Sequence, residues 1–139
     1  FANFWLGIDL STKMLVEARK KKVYDEVLAD EIIDGLEATN LSFDLFVATD
    51  VFVYTGNLSL IFECVNKHAT NGALFIFSTE HLETGSFELN LSGRYAHSQK
   101  YITVTSRSFG FTLVDFSRIN LRKEHKHWII GALYILKKA

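Results

Sequence analysis

Short apolar runs alternate with polar punctuation along the chain, and the pattern is densest between Phe43 and Gly56. Phe43, Leu45, Phe46, Val47 and Ala48 have the length and β-rich composition of a buried strand. Two small polar residues, Thr49 and Asp50, follow, then a second apolar patch from Val51 to Tyr54, then Thr55-Gly56-Asn57. Leu58, Ile61, Phe62 and Val65 recur at helical spacing, which predicts an amphipathic helix, and Asn71-Gly72 supplies its stop. Open α/β sheets build ligand sites beyond the carboxyl ends of their strands, where a buried strand gives way to small polar residues and a helix. Thr49 and Asp50 are expected at such an edge.

The same reading extends in both directions. Phe4 to Leu10 is a buried strand closing on Asp9, and Ser11 is the N-cap of a helix with Met14, Leu15 and Ala18 on one face. Lys20, Lys21 and Lys22 suit the negative end of that helix and read as a solvated terminus. Glu26 to Ala29 is a short strand reaching Asp30, and Asp34 to Asn40 is a turn or short helix. Ala73 to Phe77 is a strand ending at Ser78, Thr79, Glu80 and His81. Glu83 to Gly93 is loop-like, with room for a strand at Phe87 to Leu89. Ser98 offers a cap for a helix to Phe109, although the β-branched stretch Tyr101 to Thr105 has strand propensity; Gly110 ends it either way. Phe111 to Leu121 and Trp128 to Leu136 are strands, joined by the charged tip Arg122 to Lys126. Alternation with short connections predicts one α/β domain over residues 1–139, its sheet mostly parallel with a terminal antiparallel hairpin.

Composition narrows the function classes. A chain of 139 residues suffices for one core and not two. The net charge of −1 implies no basic face, so nucleic acid is not an expected partner. Twelve Phe and five Tyr at that low charge suggest limited solubility or a covered partner surface. The single cysteine, Cys64, excludes an internal disulfide and fits a reducing, cytoplasmic setting; no basic group is near it in sequence, so it reads as a buried, inert thiol. No apolar run approaches the roughly 20 residues of a membrane span, and no membrane partner is expected. His125 and His127 supply two ligands at one hairpin tip, short of the three or four a metal needs, and no metal is expected. Proline is absent, for which we have no physical account.

Five segments in this order, GIDLSTKML from Gly7, LAD from Leu28, FDLFVATDVFVYTGNL from Phe43, NGALFIFSTEHLE from Asn71 and GRYAHSQKYI from Gly93, resemble class I S-adenosylmethionine-dependent methyltransferases. More narrowly, they resemble the small-molecule branch found beside tetratricopeptide repeats. The resemblance spans essentially the whole chain and implies a Rossmann-like sheet with S-adenosylmethionine as cofactor. On matching positions, it implies that Asp9 receives the cofactor ribose, since a carboxylate accepts two hydroxyl hydrogen bonds as a fork. Ala29 and Asp30 would meet the adenine, with Leu10 and Met14 packed near the adenosine. Thr49, Asp50 and Val51 would face the methionine part and a small-molecule substrate. Arg94, Tyr95 and His97 would lie over the substrate pocket, Arg94 to hold an anion and His97 as a general base, with His81 as a weaker base of the same kind. Structural roles stay open beside these: a charge next to the Ser11 cap for Asp9, a solvated turn for Asp30, an Asx turn for Asp50 and a packed loop for Arg94 to His97.

The resemblance also implies a first central strand followed by a glycine-rich loop, and Phe1 to Phe4 is too short to supply either. The chain opens on Phe1, not Met, and is read as a piece or processed product of a longer one, with a missing N-terminal segment or a second copy as candidates to fill the lane. Two readings follow: the carboxyl-terminal part of a methyltransferase, weak or inactive alone, or a non-catalytic module that associates through the open lane. A nicotinamide-dependent oxidoreductase would also place an acid such as Asp9 on a ribose. The closing hairpin speaks against it, because doubly wound dehydrogenases continue with parallel units.

Overall fold

A computed structural model describes residues 3–139 of the chain; Phe1 and Ala2, the start of the short Phe1 to Phe4 segment, lie outside the described residues. The fold divides into two compact units, Phe1–Leu41 and Ser42–Ala139.

The first unit is a βαβα segment. β1 (Leu6–Asp9) and β2 (Glu26–Ala29) pair in parallel, Asp9 opposite Ala29, and α1 (Thr12–Lys20) crosses between them. The cap is the expected one: Ser11 Oγ accepts from the Met14 amide at 3.2 Å. The helix buries Leu15 and half-buries Ala18, whereas Met14 is turned out, against the expectation that the three share a face. α2 (Ile32–Glu37) realises the short helix expected before the organising strand.

The second unit is a six-stranded sheet with helices against it, built around β4 (Ala69–Leu82). β3 (Phe43–Ala48) and β6 (Tyr95–Ser98) pair with β4 in parallel, and β8 (His127–Lys138) pairs with it antiparallel. β5 (Phe87–Leu89) adds to β6, and β7 (Phe111–Glu124) adds to β8, both antiparallel. Glu80 is registered with both Ala96 and Gly131, and Leu74 with both Leu45 and Lys137, so β3 and β6 follow one another along the edge of β4 opposite β8. The sheet is therefore mixed, a correction to the mostly parallel expectation. The cause is that β8 inserts between β4 and β7, and that the stretch after Glu83 folds into an antiparallel pair instead of a loop. The terminal hairpin is present as expected. Among the described residues, β1 pairs only with β2 and β3 only with β4, so each keeps one edge without a ladder.

One other boundary differs from expectation, and one open alternative is decided for the helix. α3 (Ser59–Lys67) ends at His68, not at Asn71-Gly72, which lie in a bulged start of β4 where Gly72 takes φ +80°. α4 (Gln99–Ser108) is helical despite its β-branched residues. Ser98 Oγ caps the Tyr101 amide at 3.1 Å, and the Thr103 hydroxyl bonds back to the Gln99 carbonyl at 2.8 Å, which gives its polar group an intrahelical partner.

Pleating sorts the residues of β4 between two faces. Phe75 and Phe77 point to the helix-covered face. There, with Phe52, Phe62, Phe111 and Tyr134, they form a buried aromatic cluster, Phe75 and Phe77 at 4.8 Å between centroids and Phe77 stacked on Tyr134 at 5.2 Å. Leu74, Ile76 and Glu80 take the other face, as do Leu45 and Val47 of β3 by register.

The β7–β8 turn has two central residues, His125 and Lys126, with φ of 48° and 67°. A two-residue hairpin wants left-handed backbone at both positions, which Asn-Gly adopts readily and these side chains do not. Replacing His125-Lys126 with Asn-Gly should raise stability by about 1–2 kcal/mol in chemical denaturation; an unchanged or lower value would show that the turn is not formed this way.

Candidate functional site

Asp9 and Asp30 stand at the carboxyl ends of adjacent parallel strands, and the Asp30 amide donates to the Asp9 carbonyl at 3.1 Å. The Asp9 carboxylate accepts from the Ser11 amide through Oδ1 at 2.8 Å, so it helps hold the start of α1. Its other oxygen has no partner among the described residues. Asp30 Oδ1 accepts from the Glu31 amide at 3.0 Å, in the same way. Leu10, next to Asp9, is 67% exposed, and Met14 on α1 is 58% exposed. The first unit thus brings two carboxylates onto neighbouring strand tips, with Ala29 in register with Asp9.

In the second unit Thr49, Asp50 and Val51 form an exposed turn directly after β3, at the edge expected. Asp50 adopts φ +55°, and its amide donates to Ser78 Oγ on β4 at 2.7 Å. Its carboxylate pairs with Arg122 of β7, which also holds Glu80 of β4 and, at 3.2 Å, Glu124. Arg94 closes the array on Glu124. Partial burial works against the Arg122 charge, but hydrogen bonds to Glu124 and Glu80 and the charges of Asp50 and Glu80 outweigh it and hold the guanidinium above its ordinary range. Glu124 is held below the usual carboxylate range by its hydrogen bond to Arg122 and the charge of Arg94. Arg122 and Glu124 carry no sequence signal for this role: both read as parts of a charged hairpin tip, 72 and 74 positions from Asp50.

Arg94, Tyr95 and His97 do not converge on an open surface. Arg94 is spent on Glu124, and Tyr95 packs its ring against Phe87. His97 lies in β6 with 0% exposure, its Nε2 2.9 Å from the Gly56 carbonyl. A Cβ on residue 56 would meet Tyr95 and Phe87 at 2.8 and 2.9 Å, so only glycine lets that carbonyl come so close. Nε2 must carry the proton to donate to Gly56, which leaves Nδ1 as a buried acceptor without a partner among the described residues. His81, in register with His97, is also mostly buried; its Nε2 lies 3.5 Å from Glu83, which Arg118 holds at 3.0 Å.

No protein-family model and no curated protein matches the sequence. Solved structures do match. A methyltransferase dependent on S-adenosylmethionine from Mesorhizobium loti shares 18% identity over 99% of this chain and 81% of its own, with a TM-score of 0.70. The N-methyltransferase NodS of Bradyrhizobium japonicum WM9, solved with S-adenosyl-L-homocysteine, shares 17% over 97% of this chain and 66% of its own, at 0.70. The magnesium protoporphyrin IX methyltransferase ChlM of Synechocystis PCC 6803, solved with S-adenosylmethionine, shares 16% over 98% of this chain and 60% of its own, at 0.70. At these identities the likeness defines the fold: the chain has the α/β fold of S-adenosylmethionine-dependent methyltransferases, and it spans only part of each of those proteins. Among the described residues no helix is long and apolar enough to cross a membrane.

Burial holds the pKa of His97 below its ordinary 6.5. The unfolded chain therefore takes up this proton first as the pH falls, so the stability it confers is full above 6.5 and is lost as the pH falls from there to the depressed folded value. Melting temperature should drop between about pH 7.5 and about pH 5.5, and His97→Gln, which keeps a donor for Gly56, should flatten that slope. An unchanged slope in the variant would place the titration elsewhere.

Proposed function

We propose that this chain is the part of an S-adenosylmethionine-dependent methyltransferase that receives the nucleoside of the cofactor and faces a small-molecule acceptor. One observation carries the reading. Asp9 and Asp30 sit side by side on parallel strand tips, each with one carboxylate oxygen left over by its local backbone bond, and the neighbouring Leu10 is exposed. Carboxylate oxygens there suit ribose hydroxyls, and an exposed apolar side chain suits an adenosine. The methyltransferase fold of the whole chain supports the same reading.

S-adenosylmethionine, when bound, supplies a methyl group on a sulfonium, transferred in line to an acceptor atom that gives up a proton as S-adenosylhomocysteine departs. The work of this chain is binding and orientation. Asp9 takes the ribose hydroxyls, Ala29 and Asp30 border the adenine, and Leu10 and Met14 cover the adenosine. The resemblance alone assigns Thr49, Asp50 and Val51 of the second unit to the methionine part. Arg94, Tyr95 and His97 take no proton from the acceptor in this reading, because the fold commits them to packing and to Glu124 and Gly56. The acceptor proton passes to water.

Residues 1–139 hold no glycine-rich turn that would let backbone approach the cofactor and aim a helix N-terminus at it, so the affinity of this chain is low. Calorimetry on the pure chain should detect no micromolar binding of S-adenosylmethionine; a micromolar dissociation constant would contradict that weakness. The free β3 edge and the exposed Val47 favour a second reading, association through this strand. Amide shifts separate the two. Millimolar S-adenosylhomocysteine should move Asp9, Leu10, Ala29 and Asp30, and Asp9→Ala should weaken the effect by about tenfold. Unmoved amides at those positions, with a dimer in sedimentation, would favour association alone.

A further inference from the structure

We infer that Arg122 is the positioning residue of the second unit's strand-tip site, fixing the backbone and carboxylate of Asp50. This rests on the assignment of Thr49 to Val51 made above for the cofactor, but its geometry stands by itself. Asp50 is a non-glycine residue at φ +55°, a conformation held only where neighbours over-determine it. Two contacts do so. Ser78 takes the amide, and Arg122 takes the carboxylate. The Asp50 side chain is 49% exposed, while the Glu80 side chain, on the same guanidinium, is 9% exposed and holds it at the buried side.

The reach of Arg122 is built into the sheet. β7 and β4 are separated by β8, so the side chain must cross two lanes, roughly 10 Å. Ladder partners place Glu80 opposite Gly131, and Ile119 opposite Gly131 on the far side. A regular ladder would then set residue 121, not 122, on the face of Glu80. A bulge between Asn120 and Arg122 shifts the register by one, so that Arg122 pairs with Ile129 and moves to the Glu80 face. Bulges re-aim side chains in this way. A Cβ at Gly131 would meet the Thr79 carbonyl at 2.7 Å and Leu121 Cβ at 2.9 Å, so glycine at this position admits the bulged residue Leu121. Glu124 then fixes the Nε edge of the guanidinium and is itself steadied by Arg94. One planar cation with donors on three sides serves three carboxylates from three elements, a geometry that lysine does not reproduce.

Amide hydrogen exchange tests the assignment without any ligand. Arg122→Met should speed exchange of the Asp50 amide by at least about tenfold, with Phe75 and Phe77 of β4 unchanged. Arg122→Lys should fall between, since an ammonium reaches one carboxylate at a time. Should Arg122→Met not fold, Arg122→Lys decides: faster Asp50 exchange supports the clamp. Wild-type protection at Asp50 in a folded variant overturns it and makes Arg122 an ordinary surface cation. S-adenosylhomocysteine shifts then separate the two proposals. Loss of the response at Thr49 to Val51, with that at Asp9 and Asp30 kept, supports positioning of the site. A full response at Thr49 to Val51 in Arg122→Met overturns it. Absence of any shift in the wild type counts against the cofactor reading, and the exchange result still judges Arg122.

Discussion

Pleating along β4 governs the second unit. This strand must bury Phe75 and Phe77 against the helices, and that requirement sends Ser78 and Glu80 to the opposite side. Because β4 has neighbours on both edges, a slip of one residue would turn Phe75 and Phe77 away from the helices and set Glu80 against them. The register is therefore strongly specified, and every contact at the β3 tip inherits it. Ser78 meets the Asp50 amide and Glu80 meets Arg122 only in this register.

Carboxylates gather at strand tips in both units, with different supports. In the first unit, Asp9 and Asp30 use one oxygen each on the backbone of the next turn, an economical local arrangement. In Asp9 the oxygen that steadies the start of α1 leaves the other without a partner among the described residues. In the second unit, Asp50 depends on partners from β4 and β7, remote in sequence. Local support survives small rearrangements, whereas long-range support ties the site to the integrity of the hairpin.

Much of this was legible in the amino-acid order. Ser11 as a cap, Asp9 and Asp30 as strand tips, the buried Cys64 and the turn at Thr49-Asp50 follow from local pattern and hold in the fold. The mixed sheet was not legible, because pairing direction depends on where β8 inserts, and no local signal records it. His97 looked like a base because imidazoles titrate near neutrality; its burial follows from the pairing of β5 and β6 and from Gly56, neither of which a motif reveals. Arg122 was hidden by a one-residue bulge, which changes the face of every later side chain while leaving the hydrophobic pattern almost intact. Local chemistry reads well from sequence, and register does not.

The claim on which the function rests is that the paired tips of β1 and β2 recognise a nucleoside. A structure determined with saturating S-adenosylhomocysteine tests it most directly. The account predicts ribose hydroxyls within hydrogen-bond distance of the Asp9 carboxylate and the adenine beside Ala29 and Asp30. Ligand bound only elsewhere, with both carboxylates untouched, would contradict it.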